Sequence, residues 1–240
     1  MRKKLLRKNK IAEKHIEFFA LLDACKLQGC PICHLLSKAA RRQITELLYE
    51  EVNDPYVKDQ LRNSLGFCYS HALMLLQSGD SFGIALIYRD LIKHIYDKLK
   101  DRNRKYLISV QECPICDSDK ESTKNHINTL LLHINDQKLQ GEFERSSGLC
   151  LQHLRMTLER SNGNVREYLF TIHEQKLSRL LDDLNEFIRK QDYRFQNERS
   201  TEDESLSSKR AVHFFVGDAM LLCRMFLEQM NSISDSEKNM

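Results

Sequence analysis

Apolar residues recur every three or four positions along most of this chain, which is the spacing of a helix with one buried face. The clearest run follows Cys33 and predicts a helix to about Val52; its apolar positions are Leu35, Leu36, Ala39, Ala40, Ile44, Leu47 and Leu48. The same spacing predicts further helices at about 16–27, 55–63, 68–77, 81–105, 117–135, 137–145, 149–159 and 209–230, and another from a turn at 161–164 to about 193. The one strand-like stretch, 107–110, is too short and isolated for a sheet. The pattern therefore predicts an all-α fold.

A cysteine and histidine pattern occurs twice in the chain. Cys30-Pro31-Ile32-Cys33 is followed at a distance by Gly66-Phe67-Cys68-Tyr69-Ser70-His71. Cys113-Pro114-Ile115-Cys116 is followed in the same way by Gly148-Leu149-Cys150-Leu151-Gln152-His153. Corresponding residues lie 82 or 83 positions apart, which indicates an internal duplication. We therefore expect two tandem four-helix repeats with an additional helix at each end.

Five segments make up the predicted organisation. They are a basic N-terminal helix at 1–28, metal-binding helical repeats at 29–107 and 108–195, a polar and flexible linker at 196–208, and an apolar C-terminal helix and tail at 209–240. The last helix is apolar on nearly every face, so we expect it to be buried, in a groove between the repeats or against another chain, with the groove favoured. Charged residues interrupt it, so no membrane span is expected.

Each half of the chain supplies three thiols and one imidazole, which is the ligand set of a closed tetrahedral zinc site. The proline after Cys30 and after Cys113 fits the first position of a helix, where backbone N–H groups favour a thiolate. We expect each repeat to hold one ion that ties the start of its first helix to the start of its third. The candidate ligands are Cys30, Cys33, Cys68 and His71 in the first half, and Cys113, Cys116, Cys150 and His153 in the second.

The sequence leaves the identity of the metal open. Zinc, with two ions per chain, is the leading candidate, and an iron–sulfur cluster at each site is the main alternative. A reversible dithiol switch and plain buried cysteines without a metal are the other two. Repetition of every ligand type at nearly the same spacing argues against the last of these. Cys25 and Cys223 lie outside the pattern and are expected in the core.

Composition and charge place the chain among ordinary globular proteins. Of its 240 residues 41% are hydrophobic and 30% charged, and a net charge of +3 is too small to indicate nucleic-acid binding. Residues 2–14 carry seven basic side chains and one acidic one, which we interpret as a solvated helix end, with an RNA or membrane-surface arm as the alternative. No secretory hydrophobic segment is found, so we expect a reducing cytoplasm in which disulfides do not form.

Several motifs of this chain resemble a bacterial family known only as a domain of unknown function. The resemblance rests on the doubled Cys-Pro-x-Cys and Gly-x-Cys-x-x-His motifs, on the turn at Glu51-Val52-Asn53-Asp54-Pro55 and on the stretch Ile87-Tyr88-Arg89-Asp90-Leu91. It covers about residues 15–225 and includes all eight candidate ligands. It implies a bacterial origin and a metal site in each half, but it brings no activity.

Motifs that carry catalysis are lacking. The sequence has no glycine-rich phosphate loop, no Gly-x-Ser-x-Gly elbow and no His-Glu-x-x-His helix, and a filled Cys3His site leaves no open position on zinc. We therefore interpret the chain as a non-enzymatic interaction or scaffold protein with structural zinc and a protein partner. A redox-responsive or iron–sulfur protein is the first alternative, and nucleic-acid binding through residues 2–14 is the second.

Overall fold

The computed structural model describes residues 16–101, 111–195 and 197–217, a part of the chain that contains ten α-helices. They are α1 (Ile16–Ala24), α2 (Pro31–Glu46), α3 (Pro55–Asn63), α4 (Tyr69–Gln77), α5 (Ser81–Lys100), α6 (Pro114–His133), α7 (Gln137–Arg145), α8 (Leu151–Arg160), α9 (Gly163–Arg189) and α10 (Glu202–Val216). A π-helical turn at Leu47–Glu51 continues α2, and a 3₁₀ turn at Tyr193–Phe195 follows α9. No strand occurs in the described residues, and the all-α prediction is confirmed.

The short helices of the two halves begin in the same way. The Asp54 carboxylate accepts hydrogen bonds from the backbone N–H groups of Tyr56 and Val57, and Asp136 accepts them from the two corresponding residues at the start of α7. Such caps satisfy N–H groups that have no partner inside the helix. Both helices have the predicted bounds, which supports a common origin for the two halves.

Helices α2 and α6 form an antiparallel pair at the centre of the fold. Near the end of α2, the Gln43 amide donates to the Ser118 hydroxyl near the start of α6 at 2.8 Å. The start of α2 packs instead near the end of α6, where Ile32 and Ile127 are fully buried in one core. Each of the two long helices therefore runs from one core into the other.

Two hydrophobic cores result, and each draws on both halves of the chain. Core A combines α1 and the start of α2 with the end of α6 and helices α7 to α9; its largest fully buried residues are Phe18, Leu21, Ile32, Ile127, Leu130, Ile134, Leu139, Phe143, Leu149 and Leu169. Core B combines the end of α2 and helices α3 to α5 with the start of α6; it includes Ala40, Ile44, Leu61, Leu75, Ile87, Leu91 and Ile115. The helix that opens each repeat thus begins inside the core that is built mainly by the other repeat.

The C-terminal helix begins earlier than the sequence pattern indicated. We expected a flexible linker over 196–208, but α10 starts at Glu202, and the Thr201 hydroxyl and Glu204 carboxylate cap each other's backbone N–H groups. The Glu204 carboxylate also pairs with Lys190 at 2.7 Å, and both side chains are only about a tenth exposed. The linker prediction is wrong over 202–208, since a capping box and acidic residues at a helix start outweigh the polar composition. Helix α10 packs along α9 and reaches α8.

Some expectations concern residues outside the described ranges. These are the basic segment at 2–14, the connector at 107–110 and the part of the C-terminal helix beyond 217. Among the helices of the described ranges, none has both the length and the hydrophobicity that crossing a membrane requires.

Candidate metal centres

All eight predicted ligands gather into two compact groups. Cluster A contains Cys30, Cys33, Cys150 and His153, and its ligand atoms lie within 4.8 Å of one another. Cluster B contains Cys68, His71, Cys113 and Cys116 under the same limit. Both groups could hold a metal ion, and none of the cysteines in the described ranges forms a disulfide.

The pairing of the motifs differs from the sequence-based expectation. We expected each repeat to complete its own site, but each cluster takes its Cys-Pro-x-Cys pair from one half and its Cys-x-x-His pair from the other. The prediction of one site within each repeat is therefore wrong. The cause is the antiparallel packing of α2 against α6, which carries the start of each of these helices into the core of the other half.

Cluster A has the histidine nitrogen facing all three sulfurs. His153 Nδ1 lies 3.4 Å from Cys30 Sγ, 3.4 Å from Cys33 Sγ and 3.3 Å from Cys150 Sγ. The sulfurs of Cys33 and Cys150 are 3.8 Å apart. Three of the four residues are buried, and Cys33 is partly exposed.

Cluster B repeats this geometry with small differences. His71 Nδ1 lies 3.3 Å from Cys68 Sγ, 3.6 Å from Cys113 Sγ and 3.4 Å from Cys116 Sγ. The sulfurs of Cys116 and Cys68 are 3.5 Å apart. His71 and Cys113 are buried, whereas Cys68 and Cys116 are partly exposed.

These separations are those of ligands around a single tetrahedral ion. With metal–sulfur bonds of about 2.3 Å and metal–nitrogen bonds of about 2.0 Å, a tetrahedron places two sulfurs about 3.8 Å apart and a sulfur and a nitrogen about 3.5 Å apart. The sulfur–nitrogen distances of 3.3 to 3.6 Å and the sulfur–sulfur distances of 3.5 and 3.8 Å match these edges closely. These edges are compatible with a single metal ion in either cluster.

Helix starts converge on each cluster. Cys30 and Cys150 are the N-cap residues of α2 and α8, and Cys113 and Cys68 are those of α6 and α4. None of these four cysteine side chains makes a capping hydrogen bond to its own helix, so the first-turn N–H groups stay uncapped beside each cluster. The positive ends of two helix dipoles therefore meet at each site and favour thiolates there.

When no cation is present, the cysteines of a cluster disfavour one another's ionisation, so more than one thiolate per cluster is unfavourable. Burial works to raise the pKa of Cys113, but His71 and nearby backbone N–H groups lower it to about 6. Burial raises the pKa of Cys30, and so does the presence of Cys150 and Cys33 beside it. In cluster B, burial and the neighbouring Cys68 and Cys113 raise the pKa of Cys116. In cluster A, hydrogen bonds from Cys30 and Cys33 lower the pKa of Cys150. Each cluster therefore stabilises one thiolate and keeps a neighbouring thiol protonated. A divalent cation would remove this opposition, because it neutralises the charge of several thiolates at once.

Comparison with known proteins identifies the family. A model of a family of unknown function, DUF6062, matches residues 13–109 and 101–220. The chain belongs to the DUF6062 family. A relative of this DUF6062 chain is an uncharacterized 23.9 kDa protein in the xynA 3′ region of Caldicellulosiruptor sp. (strain Rt8B.4), which is 28% identical over 204 residues, or 82% of this chain and 99% of the relative. No solved structure matches the chain. The resemblance that the twin motifs indicated is confirmed.

Asp119 of this DUF6062 chain stands directly behind the histidine of cluster B. Its Oδ2 atom is 3.4 Å from His71 Nε2, on the opposite side of the ring from the sulfurs. Burial lowers the pKa of His71, but Asp119 and the thiols of Cys113 and Cys68 outweigh it and raise this pKa to about 10. The sequence analysis did not single out Asp119, although it follows Cys116 by three positions and so shares a helix face with it.

Gly217 covers cluster A at the end of α10. A Cβ atom at this position would lie 3.0 Å from Cys33 Sγ and 3.6 Å from Cys150 Sγ. The backbone of Gly217 has φ +71° and ψ −164°, a conformation that is essentially confined to glycine. No signal in the sequence linked this residue to the cysteines, because the contact depends on where α10 packs.

The helical histidines outside the motifs join neither cluster. His133 and His173 are buried, and the Leu149 backbone N–H donates to His173 Nε2 at 3.0 Å. Nδ1 of His173 lies 2.8 Å from the Leu169 carbonyl, to which it donates in the matching tautomer. His173 therefore fixes the backbone next to Cys150 and acts as a core residue.

Proposed function

We propose that this protein is a zinc-stabilised helical interaction protein in which two Cys3His sites are structural. The observation that carries the proposal is that three sulfurs and one Nδ1 nitrogen lie within 4.8 Å of one another in each cluster, at sulfur–nitrogen distances of 3.3 to 3.6 Å. Four protein ligands fill the coordination of zinc and leave no position for a substrate. Such an ion contributes to folding and carries out no chemistry.

The compactness of the clusters favours one ion over an iron–sulfur cluster. In a polynuclear cluster the ligands bind different iron atoms, so their sulfurs are spread around a larger body. Here all four ligand atoms lie within 4.8 Å of one another, which supports a shared single ion. Zinc suits this set because it accepts thiolate and imidazole ligands in a tetrahedron and has no redox chemistry.

Metal analysis of anaerobically purified protein, combined with a visible spectrum, tests the zinc sites. We expect two zinc ions per chain and no absorbance above the ultraviolet. Iron and sulfide with a broad band near roughly 400 nm would overturn the zinc assignment and favour the iron–sulfur alternative. Protein without bound metal that also takes up no zinc would overturn both.

The exposed face of α5 supports the interaction role. Four of its apolar residues are more than half exposed: Phe82 near its start, and Ile92, Tyr96 and Leu99, which follow one another at spacings of four and three positions. Three basic residues, Arg89, Lys93 and Lys100, border this face together with one exposed carboxylate, Asp97. The Lys100 ammonium lies 4.5 Å from the centre of the Tyr96 ring. An apolar stripe with basic flanks fits the apolar side of an acidic amphipathic helix, so we assign this face to such a partner helix.

Peptide binding tests this surface with the full-length protein. We expect a synthetic amphipathic helix with leucine on one face and glutamate beside it to bind, and binding to be lost in Arg89→Glu/Lys93→Glu. The double substitution Arg41→Glu/Lys38→Glu on α2 is the matched control, since it makes the same charge change on another helix. Equal binding by both variants, binding of anionic vesicles in place of the peptide, or self-association through α5 would each overturn the assignment.

A further inference from the structure

The two clusters differ in the group that faces the second ring nitrogen, Nε2, of the histidine. In cluster B, His71 Nε2 faces the Asp119 carboxylate at 3.4 Å. The residue that corresponds to Asp119 in the other half is Leu36, which follows Cys33 by three positions and packs against core A. Among the residues that the structure describes, no carboxylate forms an ion pair with His153 comparable to that of Asp119 with His71. The duplication therefore kept the ligands but gave only one site a carboxylate.

A carboxylate in this position acts on the metal through the imidazole. When Nε2–H donates to Asp119, the Nδ1 lone pair of His71 is held toward the three sulfurs, and the ring becomes a stronger donor. The side chains of His71 and Asp119 are 8% and 21% exposed, so water competes little for this contact. The other carboxylate oxygen of Asp119, Oδ1, is buried and has no hydrogen-bond partner among the described residues.

We propose that Asp119 is a positioning residue that makes cluster B the tighter of two unequal zinc sites. The inference rests on the proposed zinc sites and adds an order of occupancy to them. When zinc is scarce, cluster A empties first and cluster B keeps its ion. Loss of the group that hydrogen-bonds a histidine ligand typically lowers metal affinity about 10- to 100-fold. We therefore expect the zinc affinities of the two clusters to differ by about this factor.

Alkylation at controlled free zinc tests this order. Zinc-loaded full-length protein is equilibrated with a graded series of a zinc chelator, pulsed with an alkylating reagent, and its cysteine peptides are measured by mass spectrometry. Equilibration is needed because the partly exposed Cys33, Cys68 and Cys116 would otherwise react according to their exposure and not according to zinc affinity. The peptides of cluster A should become alkylated at a free zinc concentration about 10- to 100-fold higher than those of cluster B.

Substitution of Asp119 shows whether the carboxylate causes the difference. Asp119→Asn should weaken zinc binding at cluster B about 10- to 100-fold and leave cluster A unchanged. Asp117→Asn is the matched control, because it removes the same charge from an exposed position on the same helix. Asp119→Glu, which keeps the carboxylate, should restore part of the affinity.

The results separate this inference from the proposed function. Simultaneous release from both clusters, release from cluster B first, or equal behaviour of the Asp119 and Asp117 variants would overturn the inference while the zinc sites stand. Protein that binds no zinc at all would overturn the proposed function. The order of release in the unaltered protein needs no variant, so the inference stays testable even if Asp119→Asn does not fold.

Discussion

The sulfurs of Cys33 and Cys150 lie 3.8 Å apart although 117 positions separate the two residues in the sequence. This contact joins the first helix of one half to the third helix of the other. Cys116 and Cys68 make the reciprocal contact at 3.5 Å. An ion in either cluster would therefore join a helix start of one half to a helix start of the other half.

Loss of one cluster should affect both halves of the chain. Cys150→Ser removes a ligand from cluster A, and we expect one zinc ion to be lost and amide protection to fall in α2 as well as in α8. Zinc sites of this kind contribute about 10 to 16 kcal/mol, which is comparable to a domain's net stability of about 5 to 15 kcal/mol. Hydrogen exchange with metal analysis measures both effects.

Cys25 provides the control for this substitution. It is 2% exposed but belongs to neither cluster, so Cys25→Ser should lower stability and leave two zinc ions bound. A Cys150→Ser protein with two zinc ions and an unchanged melting temperature would contradict the role of Cys150 as a ligand. Loss of amide protection in α8 with unchanged protection in α2 would contradict the coupling between the halves.

The crossed clusters also predict how fragments behave. A chain cut into 1–107 and 108–240 has one Cys-Pro-x-Cys and one Cys-x-x-His motif in each piece, but the motifs of a piece belong to different clusters. We expect each fragment alone to lack a cooperative melting transition, and an equimolar mixture with zinc to form a heterodimer with two ions. Circular dichroism and native mass spectrometry follow the two properties. Independent folding of both fragments, each with one zinc ion, would support sites within the repeats.

Gly217 should be sensitive to the smallest substitution. Gly217→Ala places a Cβ atom 3.0 Å from Cys33 Sγ at a φ of +71°, so we expect a loss of about 1 to 3 kcal/mol in unfolding free energy and weaker zinc binding at cluster A. Gly163→Ala is the control, because Gly163 also has a positive φ, +42°, but no atom lies within 4 Å of its added Cβ. Thermal melts with zinc competition compare the two. Equal zinc affinity in both variants would contradict the contact between α10 and the cluster.

The pairing of Lys190 with Glu204 should make the docking of α10 depend on pH. The hydrogen bond from Lys190 holds the pKa of Glu204 below its usual value of 4.5, and the Thr201 backbone N–H adds to the effect. Since the pKa in the folded state is lowered, the stabilisation is present above about pH 4.5 and is lost as the pH falls through the lowered pKa. We expect amide exchange in α10 to accelerate only in this acidic range.

Substitution of the same carboxylate gives the matched comparison. Glu204→Gln should accelerate exchange in α10 at neutral pH and remove its acid dependence, whereas Glu202→Gln, on the exposed side of the same turn, should do neither. Identical exchange in the two variants would show that the buried pair does not hold α10.

The periodicity of the sequence determined most of the secondary structure. The helical spacing, the prolines at helix starts and the aspartate caps act within a few residues, so α3 and α7 were predicted with their observed bounds. The capping box formed by Thr201 and Glu204 was also a local signal. The polar composition of 196–208 hides this signal, because capping depends on the spacing of two residues and not on the average polarity of the segment.

The duplicated motifs determined the eight candidate ligands but not their pairing. Both halves carry the same ligand types at nearly the same spacing, so a site within a repeat and a site between repeats satisfy the sequence equally well. The antiparallel packing of α2 against α6 decided between them, because it moves each helix start into the opposite core. The contacts of Asp119 and Gly217 also depend on tertiary packing, because they join helices that are distant in sequence. Ligand identity is a property of the local chain, whereas ligand pairing depends on how the hydrophobic faces pack.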